Sequence, residues 1–530
     1  MIFLLTFPKN LVINNNMSYR VEQKIGNHIY VYEATGYWDP EKKQTRQKRI
    51  YIGKKDPVTG EVIPARKPAK PKISRDFGNI WLLKELARTC GLDTHLQRTF
   101  GDEAIDILNL AAYQMCEGKP FYLFKPWLEA TAIDNQNVET SQEISQFFKI
   151  LGDRERERRD FIRHWAYAKP ASRAVAFDIT SLSSHGKLID LLEWGYNRDG
   201  EQLPQINVGL VMRIPDGVPI SYHIYPGSIA DVTTIVNVVK EMKAQQISIR
   251  RFVLDRGFFS AGNLKLLAQQ KIPVIIPLPF RVKLANELLS DTRKDLDSPL
   301  NGFVHQGHAL FHTHRKVEIG GYSCDAHVYL DPERKARETT RLLQRLSELE
   351  AYMSQQSCET LEEAIHLLQS KSHGLIRLYR IRLDGTQPVL TRKPRILNTM
   401  INRYGKHILI SKANRLDRDE VLYLYRRRDQ VEKMFDTLKT ELDSRRLRIH
   451  SQEALDGRLF IMFIGLILNF IMLSRIRENE YLQQYSVKEI LNKLKLLRQV
   501  EMCNGESYLT EISKKQRDIL KAFNVAIPER

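Results

Sequence analysis

The amino-acid sequence predicts an α/β fold, and three patterns predict it. From about residue 172, apolar strands and amphipathic helices follow one another as strand, strand, strand, helix, strand, helix, strand. A β-rich segment at 281–404 interrupts this region. The apolar stretch 405–411 then returns to the sheet. The chain has 530 residues, too many for one ordinary core, so several domains are expected.

Changes in pattern divide the chain into six segments. They are a basic β-hairpin region with a Pro/Lys linker, a helical region, the first part of the core, an inserted β-rich domain, the second part of the core and a basic helical tail. In chain order the segments are 1–75, 76–168, 169–280, 281–404, 405–480 and 481–530.

The charge of the chain favours a polyanionic partner. Its 81 Lys and Arg exceed its 63 Asp and Glu, which gives a formal net charge of +18. Nucleic acid is the commonest large polyanion, so nucleic-acid binding is the first hypothesis. In the predicted hairpin at 28–52, Arg46, Lys48 and Arg49 are candidates for DNA contact, and the helical segment 76–168 is expected to be a DNA-binding domain. A merely solvated basic hairpin explains the same pattern equally well.

The sequence lacks the motifs of several other protein classes. The five cysteines form no C-x-x-C pair, which disfavours a zinc ribbon, and no ATP-binding G-x-x-x-x-G-K-[ST] motif occurs. The apolar stretch 459–473 is shorter than the ~20 residues of a membrane span, so a buried core helix is expected. We therefore predict a cytoplasmic protein without a membrane contact.

Two aspartates follow apolar strands of the predicted sheet. Asp178 ends the strand RAVAFD, and Asp255 ends RRFVLD. The order of elements is that of the RNase H-like fold, in which the first and fourth strands are neighbours, so the two carboxylates are expected to meet. Carboxylates that converge from different elements are the ligands that a pair of divalent ions requires.

A third carboxylate is expected from a long helix at about 419–442. On a helical wheel Tyr425, Arg428, Glu432 and Lys439 share one stripe, beside a core-facing stripe of Val431, Phe435, Leu438 and Leu442. Glu432 therefore lies between the core and the open surface. Asp429 and Asp436 project only slightly further round, so spacing alone does not choose the ligand. An amphipathic helix with a solvated charged face is the other interpretation.

These residues carry a resemblance. The spacing Tyr425-x2-Arg428-x3-Glu432-x6-Lys439 resembles the Tyr–Arg–Glu–Lys motif of a superfamily of bacterial insertion-sequence DDE transposases. The contexts FDIT around Asp178 and VLDRGFFS around Asp255 resemble that family's first two acidic motifs. The similarity covers about residues 172–475, and the N-terminal hairpin resembles one branch of the same enzymes.

The resemblance implies a metal-dependent reaction on double-stranded DNA. Asp178, Asp255 and Glu432 would hold two Mg²⁺ or Mn²⁺ ions, and Tyr425, Arg428 and Lys439 would contact phosphates. The enzyme would cleave at the transposon inverted repeats and transfer the freed 3′-OH into target DNA, as a homodimer in the DNA complex. An RNase H-like structure-specific nuclease and a catalytically idle DNA-binding descendant are the alternatives.

One motif departs from the family pattern. The stretch PGSIAD at 226–231 has Ser228 where the family usually has Asn. Asp231 in the same motif is expected to cap the following helix rather than to bind metal.

Overall fold

The computed structural model describes residues 18–64, 70–134, 138–168, 174–186, 188–197, 200–214, 216–412, 416–441 and 446–528. The chain divides into two compact units. The smaller unit contains Met1–Ser74 and Val500–Tyr508, and the larger contains Arg75–Gln499 and Leu509–Arg530.

The strands of the described residues are numbered in chain order. They are β1 (Ser18–Ile25), β2 (His28–Asp39), β3 (Gln44–Lys55), β4 (Val62–Pro64), β5 (Pro71–Asp76), β6 (Ala174–Ser184), β7 (Gln205–Ile214), β8 (Pro219–Pro226), β9 (Arg251–Leu254), β10 (Val274–Pro277), β11 (Gly302–His305), β12 (His308–Ile319), β13 (Tyr322–Leu330), β14 (Tyr379–Asp384), β15 (Gln387–Arg392), β16 (Lys406–Lys412), β17 (Arg446–Leu447), β18 (Arg498–Met502) and β19 (Ser507–Leu509).

The α-helices are numbered in the same way. They are α1 (Gly78–Cys90), α2 (Leu92–Phe100), α3 (Glu103–Glu117), α4 (Phe124–Glu129), α5 (Ser141–Asp153), α6 (Glu155–Tyr167), α7 (Asp231–Ala244), α8 (Ala261–Gln269), α9 (Lys283–Asp291), α10 (Arg293–Leu296), α11 (Pro332–Ser354), α12 (Leu361–Ser372), α13 (Pro394–Arg403), α14 (Arg418–Arg427), α15 (Asp429–Asp436), α16 (Gln452–Glu478), α17 (Val487–Lys495) and α18 (Lys514–Ala522).

The smaller unit contains an antiparallel sheet of order β1-β2-β3-β4. The predicted hairpin is its central pair, β2 and β3, and is confirmed. The sequence did not predict β1 and β4. Residues 65–69 of the expected Pro/Lys linker lie outside the described residues, and the linker's last two residues, Pro71 and Lys72, already belong to strand β5. The C-terminal tail, predicted to be helical, contains α17 and α18 but also β18 and β19, which form a three-stranded sheet with β5.

The larger unit is built on one sheet of order β11-β12-β13-β16-β10-β9-β6-β7-β8. The first and fourth strands of the predicted core, β6 and β9, are parallel neighbours, as predicted. Strand β6 does not end at Asp178, however, because it continues to Ser184 and pairs with β7 over that length. Helix α7 begins at Asp231 with Ala230 in the cap position, so the prediction that Asp231 caps this helix was wrong.

The interrupting segment at 281–404 is mixed rather than β-rich. Its strands β11, β12 and β13 extend the large sheet, since β13 pairs with β16. Its longest element is the 23-residue helix α11. Helices α11 and α12 and the hairpin β14–β15 surround a small apolar cluster of their own that includes Leu346, Met353 and Tyr379.

Helices α1 to α6 confirm the helical prediction for residues 77–165. Their apolar faces share one continuous core with the large sheet. Helix α16 runs through this core and packs against α3 and α5. By length and composition α16 could cross a membrane, but 83% of its most apolar stretch is buried inside the protein. This agrees with the expected buried core helix.

Two glycines set the distance between α5 and α16. A Cβ atom at Gly457 would lie 1.9 Å from the carbonyl oxygen of Phe148, and one at Gly152 would lie 1.9 Å from that of Glu453. Backbone oxygens cannot move aside as a flexible side chain can. The absence of side chains at these two positions therefore allows the helices to touch through their backbones.

Imidazole rings stack on one face of the large sheet. His312 and His327 lie 3.1 Å apart between ring nitrogens, and Tyr329 stacks on His407 with ring centroids 5.2 Å apart. Burial, reinforced by neighbouring positive charge, lowers the pKa of His312 to about 3 and that of His407 to about 4. Burial likewise lowers the pKa of His327 to about 4. These rings are therefore neutral in the folded protein at neutral pH.

We predict that Gly457→Ala lowers the free energy of unfolding by about 3 kcal/mol, because the methyl group forces α5 away from α16. Gly262→Ala in α8 is the control, since its nearest contact would be an ordinary 3.8 Å. Chemical denaturation of the two variants measures the difference. Equal stabilities would show that the helices separate at little cost.

We also predict that the protein loses stability as the pH falls from 7 to 5. The unfolded histidines gain protons near their ordinary pKa of about 6.5, whereas the buried rings stay neutral until about pH 4, so protons favour the unfolded state in this window. Thermal melts should show the loss. The slope of melting temperature against pH should be smaller in a His312→Gln, His327→Gln double variant. It should be unchanged in His308→Gln, because the side chain of His308 is 60% exposed.

Candidate active site

Asp178 and Asp255 are brought together by parallel strands. Phe177 of β6 is in register with Leu254 of β9, so each aspartate follows one member of this pair. Asp178 was expected at a strand end facing solvent, but it lies inside β6, and only 11% of its side chain is exposed. The backbone N–H of Ile179 donates to its Oδ1 at 2.8 Å. Asp255 is the more open of the two, with 40% of its side chain exposed.

The hydrogen bonding of the predicted long helix is interrupted at Arg428, although the backbone angles there, φ −58° and ψ −31°, stay helical. Helix α14 ends at Arg427 and α15 begins at Asp429, with backbone hydrogen bonds from Arg428 to Tyr425 and from Val431 to Arg428 tightening the turn. No Gly or Pro stands at this position, so the sequence carries no signal for the break. The start of α14 is fixed to the sheet because the Tyr329 hydroxyl donates to the Arg418 carbonyl at 2.7 Å.

Helix α15 presents the expected faces. Val431, Phe435 and Leu438 are buried as predicted, and Leu442 lies outside the described residues. The side chain of Glu432 is 59% exposed, at the edge of the packed face. Glu432 therefore lies at the border between the core and the surface.

The guanidinium group of Arg428 contacts four carboxylates. Its Nη2 donates to Glu432 Oε1 at 2.9 Å and lies 3.6 Å from both Asp255 Oδ1 and Asp429 Oδ1. Its Nη1 lies 3.6 Å from Asp178 Oδ2. One guanidinium thus spans all three predicted carboxylates. Residues far apart in the sequence therefore meet within the width of this group.

Burial and the charges of this cluster shift the pKa values of Arg428 and its neighbours. Burial alone would lower the pKa of Arg428, but the charge of Asp255, together with Tyr425 and Asp178, outweighs burial and raises it. Burial raises the pKa of Tyr425, whose ring centre is 5.7 Å from the Arg428 guanidinium carbon. Burial also raises the pKa of Asp429. Arg428 is therefore held fully charged among the carboxylates.

Carboxylates are the type of ligand that a hard divalent cation prefers, but here they are not arranged in the geometry of a metal site. Oxygen ligands from Asp178, Asp255 and Glu432 are those that Mg²⁺ and Mn²⁺ prefer. Across the described part of the chain, no three His, Cys, Asp or Glu side chains are arranged to hold a metal ion. The positive charge at the centre of the cluster is that of Arg428. Asp429 also lies 3.6 Å from this guanidinium. The helical spacing had not decided between Asp429 and Glu432 as the third carboxylate.

Lys439 does not extend the predicted stripe in a simple way. Residues Thr437–Glu441 form a π-helical turn, which changes the rotation per residue that the helical wheel assumed. Lys439 is half-buried within this turn. Arg428 contacts both Tyr425 and Glu432. Because of the π-helical turn, Lys439 does not point in the direction that the helical wheel predicted.

A cleft of about 410 Å³ opens beside Asp255. Tyr425 and Asp429 line it on the side of the carboxylates, and Arg256 and Arg426 add positive charge. Arg256 was not among the predicted site residues, although it is adjacent in sequence to Asp255. The cleft exposes Asp255 and Asp429 from one side.

The candidate DNA-contacting residues of the hairpin lie in the other unit. Arg46, Lys48 and Arg49 are exposed on strand β3. Since side chains alternate along a strand, Arg46 and Lys48 share one face and Arg49 lies on the opposite face. Arg46 approaches Asp39 at 3.5 Å, a surface pair of little energetic weight.

Comparisons with known proteins found solved structures of low sequence identity and one family model. In solved structures, the chain is similar to the piggyBac transposase in a synaptic complex with hairpin DNA, at 11% identity and a TM-score of 0.36, over 81% of this chain and 82% of that one. It is also similar to the Drosophila P element transposase in a strand transfer complex, at 11% identity and a TM-score of 0.20, over 78% and 96%. Both TM-scores are too low to establish a shared fold.

No curated protein matches the chain. The family model described as the transposase DDE domain matches residues 169–468, a span that contains Asp178, Asp255 and Glu432. This match covers more than half of the sequence. The chain therefore belongs to the DDE transposase family.

Proposed function

We propose that the protein is the DNA transposase of an insertion sequence and that Asp178, Asp255 and Glu432 are its catalytic, metal-binding residues. The observation that carries the proposal is the contact of all three carboxylates with the single guanidinium of Arg428. A polar cluster of this kind, on two neighbouring strands of the sheet and beside an open cleft, suits a reaction on an extended substrate.

The strand order supports an RNase H-like core. In this interpretation β8, β7, β6, β9 and β10 form the core sheet, with β6 and β9 central and parallel. Strand β16 follows the interrupting segment and pairs with β10, which returns the chain to the same sheet. Helices α14 and α15 then pack against this sheet, where α15 contacts β6 and α14 contacts β9 and β10.

The side chains have distinct parts in this proposal. Two Mg²⁺ or Mn²⁺ ions held by Asp178, Asp255 and Glu432 would activate the attacking oxygen and offset charge on the leaving oxygen. Asp178 is rigid because it lies inside a paired strand, whereas Glu432 stands on an open helix face. Tyr425 and Arg428, with Lys439, contact DNA phosphates near the cleavage point.

Two phosphoryl transfers make up the reaction. Water attacks the phosphorus at the element's end, and the 3′-oxygen leaves with a proton as a free 3′-OH. That hydroxyl then attacks a phosphodiester of the target, forming a new P–O bond while the target's own 3′-oxygen leaves. Both partners are double-stranded DNA, namely the inverted repeats and the target, and two copies of the protein hold the paired ends in the cytoplasm.

We predict that Asp178→Asn, Asp255→Asn and Glu432→Gln each reduce strand transfer by about a thousandfold or more, since each removes a charge that the metal ions require. The assay supplies Mg²⁺ and the element's own end sequence and measures joined product. Asp436→Asn is the matched control, because Asp436 is an exposed carboxylate on the same helix, α15. DNA affinity should be retained in all four variants.

The outcomes separate the alternatives. Cleaved product without joining points to a structure-specific nuclease, and binding without cleavage points to a catalytically idle descendant. Activity that survives Glu432→Gln and disappears with Asp436→Asn assigns the third carboxylate to the wrong residue.

The hairpin yields a separate prediction about DNA affinity. An Arg46→Gln, Lys48→Gln double variant should bind duplex DNA more weakly and lower the slope of log affinity against log salt by about 2, because two phosphate contacts are lost. Fluorescence anisotropy at several salt concentrations measures the slope. Lys55→Gln is the control, since Lys55 already pairs with Glu22 at 2.8 Å. An unchanged slope in the double variant would identify the hairpin as solvated charge.

A further inference from the structure

Arg428 stands in the place where a metal ion would be expected. Its side chain is only 6% exposed, and its guanidinium lies among Asp178, Asp255, Asp429 and Glu432. Four carboxylates so close together repel one another unless a cation lies among them. The single charge of Arg428 supplies part of that compensation in the protein without metal.

The contacts of Arg428 are poor ones for a permanent structural ion pair. Only its bond to Glu432, at 2.9 Å, is a hydrogen bond, and the other three carboxylates stand 3.6 Å away. Its Nε and Nη1 are buried and have no hydrogen-bond acceptor among the residues that the structure describes. Arg392, in the same protein, pairs with Glu350 through two bonds of 2.6 and 2.8 Å.

We propose that Arg428 is a resident counter-cation, which occupies the carboxylate cluster until divalent metal enters and which the metal then displaces. The inference rests on the proposed function, because it assumes that Asp178, Asp255 and Glu432 are the metal ligands. Charge holds the guanidinium there more than directed hydrogen bonds do, so a divalent ion with its higher charge competes well for the same oxygens. The displaced guanidinium becomes available to a DNA phosphate, which it can bind through two parallel bonds.

An open cleft lies beside the residues that Arg428 contacts. Arg428 lies at the turn between α14 and α15, and it contacts the ring of Tyr425. Tyr425 lines the open cleft of about 410 Å³ beside Asp255. Metal binding and DNA binding are therefore coupled through one residue, and each should strengthen the other.

The first test is a Mn²⁺ titration of the full-length, DNA-free protein, followed by electron paramagnetic resonance of the free ion. Arg428→Gln should bind Mn²⁺ about tenfold more tightly than the wild type, because the competing charge is gone. Arg427→Gln is the matched control, since it removes the same charge from the adjacent residue, whose guanidinium packs on Tyr423. An affinity in Arg428→Gln that is equal to or weaker than that of the wild type would overturn the proposal.

The second test measures coupling by repeating the titration with a short blunt-ended DNA duplex. DNA should raise the Mn²⁺ affinity of the wild type more than that of Arg428→Gln, because only the wild type has a guanidinium to transfer to phosphate. The same increase in both proteins would contradict the transfer. DNA phosphates that bind Mn²⁺ directly would raise its affinity equally in the wild type and in Arg428→Gln, so they do not affect the difference between the two proteins.

A third measurement does not depend on the folding of Arg428→Gln. Mg²⁺ is added to the wild type while the Nε–H signal of Arg428 is followed by nuclear magnetic resonance, and the signal is identified by its loss in Arg428→Lys. The signal should move towards that of a solvent-exposed arginine, and a signal that stays unchanged at saturating Mg²⁺ counts against displacement. Absence of Mn²⁺ binding in every protein, with or without DNA, refutes the proposed function itself, whereas equal binding in wild type and Arg428→Gln refutes only this inference.

Discussion

Carboxylates cannot be crowded at one point of a protein without a compensating positive charge, and this constraint organises the site. Four acidic side chains surround one guanidinium, and burial of that group makes their charges more effective than they would be in water. The cluster is therefore stable only while a cation remains in it. Arg428 fulfils this requirement in the protein alone, and in the proposed function divalent metal fulfils it later.

The rest of the fold brings the acidic residues within reach of that cation. Parallel pairing of β6 and β9 places Asp178 beside Asp255, and the crossing of α14 and α15 over the same strands adds Glu432. The large core, with α16 at its centre, makes the sheet a rigid support. Close backbone packing of α5 on α16 further restricts the helical layer.

Local pattern explains why the sequence predicted much of this arrangement. Apolar strands, their order and the buried stripe of Val431, Phe435 and Leu438 are properties of short segments, and the adjacency of β6 and β9 follows from that order. The burial of Asp178 depends on contacts between distant segments, which no local pattern reports, and no Gly or Pro signals the interruption at Arg428. For the same reason, the sequence predicted β11 to β13 as part of an inserted domain, whereas in the structure they extend the large sheet.

A structure of the protein with DNA and Mn²⁺, in which anomalous scattering locates the ions, tests the proposed metal site most directly. We expect Mn²⁺ bound directly by oxygens of Asp178, Asp255 and Glu432, with Arg428 turned to a phosphate. Ions bound by other carboxylates, or an Arg428 that remains among the three acidic residues beside an occupied metal site, would contradict this expectation.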